Sequence, residues 1–373
     1  MPNNIAAKDL LHSKRIAILH QAHHPPSLNG SIKPQNPFGY RDSSADIAFA
    51  LASSGCSILT PTADRRPGID IDWTFPDTLD GIKEAISLGA DTLWANTNLY
   101  ADHPLGEFIA QDHLRVVAQP LRTVEAFEDK NFCRAGIAKL GVDVPRQELV
   151  DLSETKKLTE NNLRNILNRI SSSFPVIVKP CRGRGSEGVR RVGSARAAIQ
   201  HIESLETTRF GTKFLIEEYL PGDEWAITVM PPGTYQSPEG EYSTSEHWPL
   251  TAVRRIGHHY GVMPFSGAVS PLLNSEPARE DERLQEFKLL CTKIARRLNT
   301  TAPIRIDCRA DQSGLIKAID VNFKPSMTGP GRPGREHMSN LSAIAANAHG
   351  WTYTDLVIAI SDNATQIRCI TSP

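Results

Sequence analysis

The sequence predicts an α/β protein of more than one lobe. Three observations carry this: a length beyond one usual core, a first third in which apolar strand-like runs alternate with helical patterns, and a glycine-rich turn set between two strands mid-chain. At 373 residues the chain is long enough for two or three lobes with a cleft between them. Within the first third, RIAIL (15–19) reads as a buried strand and 20–42 as a polar, proline-punctuated loop. A helix follows that Asp42, Ser43 or Ser44 can cap and Gly55 ends. CSILTP, a helix over roughly 77–88 stopped by Gly89, and DTLWAN continue the alternation, which is the pattern of an open α/β lobe.

Residues 128–141 form a helical pattern closed by Gly141, and Val144-Pro145 opens an extended connection. A second lobe then reads as a helix over 160–171, the strand FPVIVK, a glycine-rich loop at 182–188, the strand VRRV and a helix from Ser194. The strand FLIEEYL leads through PGDE to AITVM, a polar and proline-rich excursion over 231–266, and a helix over roughly 279–298. Two final strands, IRIDCRA and LIKAIDVN, flank DQSG, which has hairpin chemistry.

Composition narrows the function classes. Hydrophobic residues at 40% and charged residues at 22% are globular values that favour neither disorder nor a fibre. With 41 Lys+Arg against 42 Asp+Glu, no overall basic field recommends a nucleic acid or an anionic membrane, so any phosphate site is local. Six scattered cysteines without a CxxC pair read as reduced thiols rather than a zinc site or disulfide scaffold. The opening residues lack the apolar core of a leader, and no apolar run reaches membrane-spanning length; a cytoplasmic protein is expected. His23-His24 has no neighbouring carboxylate or cysteine to complete a metal set, and Trp73, Trp94, Trp225 and Trp248 read as packing residues.

Two segments carry chemistry. In PVIVKPCRGRGSEGVRRV, Lys179 ends a buried strand, and Gly183, Gly185 and Gly188 around Ser186 let backbone amides approach an anion, with Arg182 and Arg184 raising the local potential. A plain hairpin turn fits the same residues; a Walker loop and a dinucleotide fingerprint do not. In IRIDCRADQSGLIKAIDVNFKP, strand alternation places Arg305 with Asp307 and Asp320 with Asn322, so paired strands bring all four to one face. Carboxylate and amide oxygens suit magnesium shared with phosphates, and Arg305 suits charge developing in phosphoryl or acyl transfer. An exposed hairpin with surface ion pairs is the other reading.

Taken in order, Asp129-Lys130 opening a helix, VIVKP with its glycine loop, FLIEEYLPGDE, RIDCR and DVNFKPSMTGPG resemble the ATP-grasp superfamily, and within it the D-alanine–D-alanine ligase branch, over about 128–335. The resemblance implies a three-lobed ATP-grasp fold. An open α/β N-terminal lobe would cover 1–127, a central lobe with the glycine-rich loop 128–217, and a C-terminal lobe with the magnesium site 218–373, with ATP held between the last two. It implies Lys130 and Lys179 on the nucleotide phosphates and Ser186 in the loop that closes on them. Glu217 would lie near the adenine amino group, the backbone of Glu218 and Leu220 at the adenine edge, and Glu224 on the ribose hydroxyls. Asp307, Asp320 and Asn322 match the ligands of one or two magnesium ions, with manganese able to substitute. Arg305 sits beside them, and the backbone amide of Ser326 would face the oxyanion.

The implied activity is ADP-forming ligation of a small-molecule carboxylate to an amine through an acyl phosphate, in a cytoplasmic homodimer. The sequence departs from the branch in three places. Asp320 stands where many relatives carry glutamate, NFKPSMTGPG replaces the more frequent NPxPG-like turn, and AILHQAHHPPSLNGSIKPQNPFGYRDSS replaces the glycine-rich first strand and serine–glutamate motif, which argues against two D-alanines as substrates. The 231–266 excursion lies where relatives place a substrate-covering loop; there Arg254 or Arg255 would grip a carboxylate or acyl phosphate, or the stretch is a solvated basic loop. A non-catalytic ATP-responsive module and an ATP-grasp kinase or carboxylase are the alternative functions.

Overall fold

The computed structural model describes residues 14–155, 158–170, 172–205, 207–237, 240–264 and 269–371; the opening residues read above for a leader lie outside these. The first sheet is built on the apolar strand Arg15–His20, buried at every position after Arg15. It pairs in parallel with Thr92–Asn96 on one edge and with Ser57–Ile58 and Phe75–Pro76 along the other. Arg115–Val117 follows in parallel, and the short return strand Thr365–Gln366 closes that edge antiparallel. The chain therefore leaves Arg15–His20 toward one edge and later returns on the other. That makes the carboxyl ends of Arg15–His20 and Thr92–Asn96 a topological switch point, where open α/β sheets bind ligands.

The helix Arg41–Ser53 begins without the predicted side-chain cap. Tyr40 occupies the cap position in a left-handed conformation, φ 59°. Ser43 and Ser44 lie inside the helix, where both hydroxyls accept from the buried Asn96 amide at 3.0 and 2.9 Å. Their hydrogen bonds tie the helix to the neighbouring strand instead of satisfying its first turn. Gly39 must also approach closely: a Cβ there would lie 2.1 Å from the Gln21 carbonyl oxygen. Leu79–Ser87, by contrast, is capped by Thr78, whose hydroxyl accepts from Gly81 N–H.

Behind this sheet His20 is 5% exposed and shares a 2.8 Å hydrogen bond with Thr74. Burial, helped by Arg41, takes its pKa down to about 4. Folded His20 is thus neutral where unfolded His20 begins to protonate, so between about pH 6.5 and 4 the unfolded state binds more protons and stability falls as pH falls. Urea midpoints measured across that window are expected to decline, and His20→Gln is expected to flatten the decline.

The middle of the chain forms a four-stranded antiparallel sheet in the order Gln147–Asp151, Lys213–Glu218, Val176–Pro180, Arg190–Val192. Val176, Val178, Phe214 and Ile216 turn to one face. There they form a core with Leu163 and Ile166 of helix Glu160–Arg169 and Ala198 and Ile202 of helix Ala195–Ser204. Strand alternation sends Lys179, Leu215 and Glu217 to the opposite face.

The third sheet runs Ser275–Pro277, Val253–Arg255, Glu224–Met230, Ile304–Ala310, Ile316–Asn322, with Trp248–Pro249 also on Glu224–Met230. Helix Glu282–Arg297, capped by Asp281, packs its Leu284, Phe287, Cys291 and Ile294 against this sheet. The excursion read as polar loop holds four short strands among its described residues. Gly233–Ser237 and Gly240–Thr244 form a hairpin in which Tyr235 and Tyr242 turn toward Trp248, with Trp351 completing the aromatic cluster. Exposed Thr234 and Gln236 flank Tyr235, and Glu241 and Ser243 flank Tyr242, so each strand carries a single inward aromatic, too few to show a period of two. Residues 238, 239, 265 and 266 of that stretch lie outside the described residues.

Two of the three cores mix side chains of the first and third sheets, so these form one packed unit. Trp73, Trp94 and Trp225 are buried in them. All six cysteines are free and five are buried. Among the described residues no helix is long and apolar enough to cross a membrane.

Candidate active site

Polar groups from the other face of the middle sheet, from the third-sheet hairpin and from helix Lys130–Ala138 meet in one cleft. Asp129 caps that helix by accepting from Asn131 and Phe132 N–H, which sets Lys130 in its first turn. The Lys130 ammonium donates to both oxygens of Asp320 at 2.8 and 2.7 Å, and its backbone N–H binds Cys181 O at the end of strand Val176–Pro180. One residue thereby joins all three elements. Lys179, 5% exposed, meets Glu217 at 3.0 Å, the contact that their shared sheet face predicts. Burial first, then neighbouring Arg134, lowers the Lys179 ammonium to about 8. Burial also opposes the charge of Asp320, but Lys130, Lys179 and Arg134 outweigh it and hold that carboxyl down to about 2.

In the hairpin, Asp307 stands opposite Asp320 and Arg305 opposite Asn322. All four converge as alternation predicts. The Arg305 guanidinium grips both Asp307 oxygens at 2.7 and 2.8 Å, and Asn322 Nδ2 donates to Asp307 at 3.0 Å. Between Asp307 and Cys308 the register shifts so that Ile319 has no partner, a bulge of the kind that re-aims groups beside sites. The freed Ile319 carbonyl accepts from Arg134, which also donates to Gln147 and to Glu217. Arg134 is a site residue that the motif reading passed over. Its signal was the four-residue spacing from Lys130, which puts both on one helical face.

Glu224 lies further along the cleft, 3.0 Å from His258 Nε2 and 3.5 Å from an Arg309 nitrogen. Arg255 sits opposite Glu224 on the ladder. Burial lowers its pKa while nearby Asp307 raises it. Arg254, on the other face of the strand, turns to solvent and pairs with Asp223 and Glu276 at 2.9 and 3.2 Å. Of the two arginines, only Arg255 is in the cleft. The Glu218 carboxylate is held by Arg146 and Lys317, and its N–H donates to Arg146 O, so its side chain points away from Lys179. Leu220 is buried just beyond the strand end.

The glycine loop is folded back on itself, with Glu187 N–H bound to Arg184 O and Val189 N–H to Ser186 O. Gly185, Ser186 and Gly188 all have positive φ, the left-handed backbone that glycines at two of the three positions favour. Arg182 and Arg184 donate to the carbonyls of Pro26 and Gln35, docking the loop on the 21–40 stretch. Ser326 is exposed, keeps a negative φ despite replacing a glycine-like turn position, and hydrogen-bonds Thr328 at 3.3 Å.

A family model for the D-Ala–D-Ala ligase C-terminus matches residues 137–361, well over half the chain. The chain belongs to this family. Among relatives of this D-Ala–D-Ala ligase family member, D-alanine–D-alanine ligase A of Bacillus cereus is 24% identical over 64% of this chain and 68% of its own length. The ATP-grasp enzyme fsqD of Aspergillus fumigatus is 31% identical over 31% of this chain and 23% of its own length. The chain thus spans about two thirds of the first relative and under a quarter of the second. The fold is that of the Bacillus anthracis D-alanine–D-alanine ligase crystallised with ATP, with a TM-score of 0.64 at 16% identity over 96% of this chain and 99% of that one. Biotin carboxylase of Campylobacter jejuni shares it at a TM-score of 0.62 and 12% identity, over 96% and 72%. The ATP-grasp architecture therefore extends over 96% of the chain.

Proposed function

We propose that this member of the family is an ATP-dependent, ADP-forming carboxylate–amine ligase acting on amino-acid-like substrates other than two D-alanines. The observation that carries the reading is the convergence of Lys130, Lys179, Arg305, Asp307, Asp320 and Asn322 in one cleft. Each ammonium now rests on a carboxylate, Asp320 or Glu217. Triphosphate oxygens offer a stronger partner to the same donors. Lys130 and Lys179 would then hold the phosphates, the amides around Ser186 would cover them, and Glu217 with the backbone of Glu218 and Leu220 would meet the adenine. Glu224 would accept from the ribose.

The hairpin's donor set fits magnesium. Two carboxylates and an amide, without histidine or cysteine, are hard oxygen ligands, and among the described residues no group of three or more His, Cys, Asp or Glu forms a closed cage. Phosphate oxygens and water would complete the shell, as is usual for magnesium. Asp307, Asp320 and Asn322 would hold the ion, which when bound neutralises charge on the phosphates. A substrate carboxylate oxygen attacks the γ-phosphorus and releases ADP. An amine then attacks the acyl phosphate carbonyl, inorganic phosphate leaves, and the amine proton is lost. Arg305 and Arg255 would stabilise the developing negative charge, with the Ser326 amide at the oxyanion, while the glycine loop excludes water from the acyl phosphate.

The test is ADP release across a matrix of amino-acid donors and amines, with amide product scored by mass spectrometry. Paired-substrate ADP release with amide formation is expected. Bound ATP left intact by every pair would instead favour the non-catalytic module.

A further inference from the structure

At the switch point of the first sheet, donors without acceptors gather from all three lobes. Gln21, one residue beyond strand Arg15–His20, is 1% exposed; its Oε1 accepts from Asn98 at 3.5 Å and its Nε2 has no partner. Asn98, just past strand Thr92–Asn96, also donates to the Tyr40 hydroxyl at 3.4 Å. The Lys324 ammonium, carried on the loop after the third-sheet hairpin, lies 3.5 Å over the Tyr40 ring, and among the described residues no carboxylate forms an ion pair with it. Lys33 and, from the glycine loop, Arg184 act on it as like charges, and Asp42 and Glu128 as opposite ones. Arg184 Nε is buried without a partner.

The opposing charge is already engaged. Glu128 is shared by Lys33 and, through an Oε2 that accepts no hydrogen bond, by Arg182 at 3.6 Å, and Asp42 binds Arg335 at 3.1 Å. Five cations, Lys33, Lys324, Arg182, Arg184 and Arg335, therefore surround Glu128 and Asp42, and of the five Arg335 also reaches Asp46. Lys324 also borders a cavity of about 40 Å³ whose lining is mostly apolar, with Asn96, Thr97 and Gln119 as its other polar groups. Below it, Asp77 accepts from Ala22 N–H at 2.8 Å and Thr97 at 2.5 Å, and pairs with His103 at 3.2 Å. These bonds fix both lips of the crevice relative to each other.

We propose that this crevice binds an anionic side group of one substrate, so that the ligase takes an acidic amino acid. The class follows from what is missing. Gln21 Nε2, Arg184 Nε and the Lys324 ammonium all lack acceptors, and a carboxylate offers acceptors only, with the charge that the surplus cations require. An ammonium or a neutral apolar side chain would leave them unsatisfied in a buried place. The inference rests on the ligase reading. Its rival is that these cations serve the γ-phosphate instead.

Isothermal titration of the full chain separates the two. The protein is saturated with AMP-PNP and magnesium and titrated with aspartate, asparagine, glutamate and glutamine in both enantiomers. At least one acid is expected to bind ~10-fold or more tighter than its amide, the value of a charge-assisted bond over a neutral one. Lys324→Gln is expected to remove most of that preference, with a smaller loss in AMP-PNP affinity. Acid and amide binding alike, no acid binding at all, or an equal loss of AMP-PNP affinity in Lys324→Gln would each overturn the inference while leaving the nucleotide site standing. Failure of the wild-type chain to bind AMP-PNP would remove the ligase reading and this inference with it.

Discussion

Asp307→Asn is expected to reduce ADP release by at least ~100-fold, the scale on which removal of one preorganised charge-stabilising group acts. Asp307 has two tasks that asparagine cannot fill. It holds Arg305 through both oxygens, and it is one of only two carboxylates on this face of the hairpin. With an amide in its place, the Arg305 fork faces an NH₂ and loses its orientation. Lys179→Ala is expected to reduce turnover similarly and to weaken AMP-PNP binding as well, because Lys179 lies on the sheet face across from Asp320 and not within the hairpin. The pair separates chemistry from nucleotide grip. Full activity in both variants would remove these residues from the site.

The largest effect on stability is expected at Asp46, in the middle of helix Arg41–Ser53. Its carboxylate is fully buried. It accepts from Arg332 at 2.8 Å, from Arg335 at 2.8 and 2.9 Å, and from Gly329 N–H at 3.2 Å. Asp46→Ala leaves Arg332, 1% exposed, with Asp70 as its remaining carboxylate partner. Breaking such a buried pair from one side costs about 3–5 kcal/mol, to be read as a lowered urea midpoint and a lowered melting temperature. The loop these arginines anchor also carries Lys324 and Ser326, so substrate affinity should fall along with stability. A midpoint within experimental error of wild type would show that the loop is held elsewhere.

Much of the site was legible because its chemistry is local. Asp129 before Lys130, Ser194 before its helix, and the Asp311–Gly314 turn between two strands are capping and turn signals that act over three or four residues. Alternation within each strand then placed Arg305 with Asp307 and Asp320 with Asn322. What escaped depends on distance in the chain. Asp46 meets Arg332 across 286 residues, and no periodicity encodes that partner. Tyr40 caps its helix through backbone conformation, where a polar side chain was expected. The hairpin at Gly233–Ser237 and Gly240–Thr244 hid because one face is solvated and its apolar face finds Trp351 more than a hundred residues later. Lys324 and Gln21 become a site only once the third and first sheets pack together.

The most direct test of the central claim follows an oxygen atom. When a donor with ¹⁸O in its carboxylate is turned over with ATP and an amine, the oxygen that attacks phosphorus must leave with the phosphate. The account predicts one ¹⁸O in the inorganic phosphate for each amide formed. Amide formed with unlabelled phosphate would contradict it.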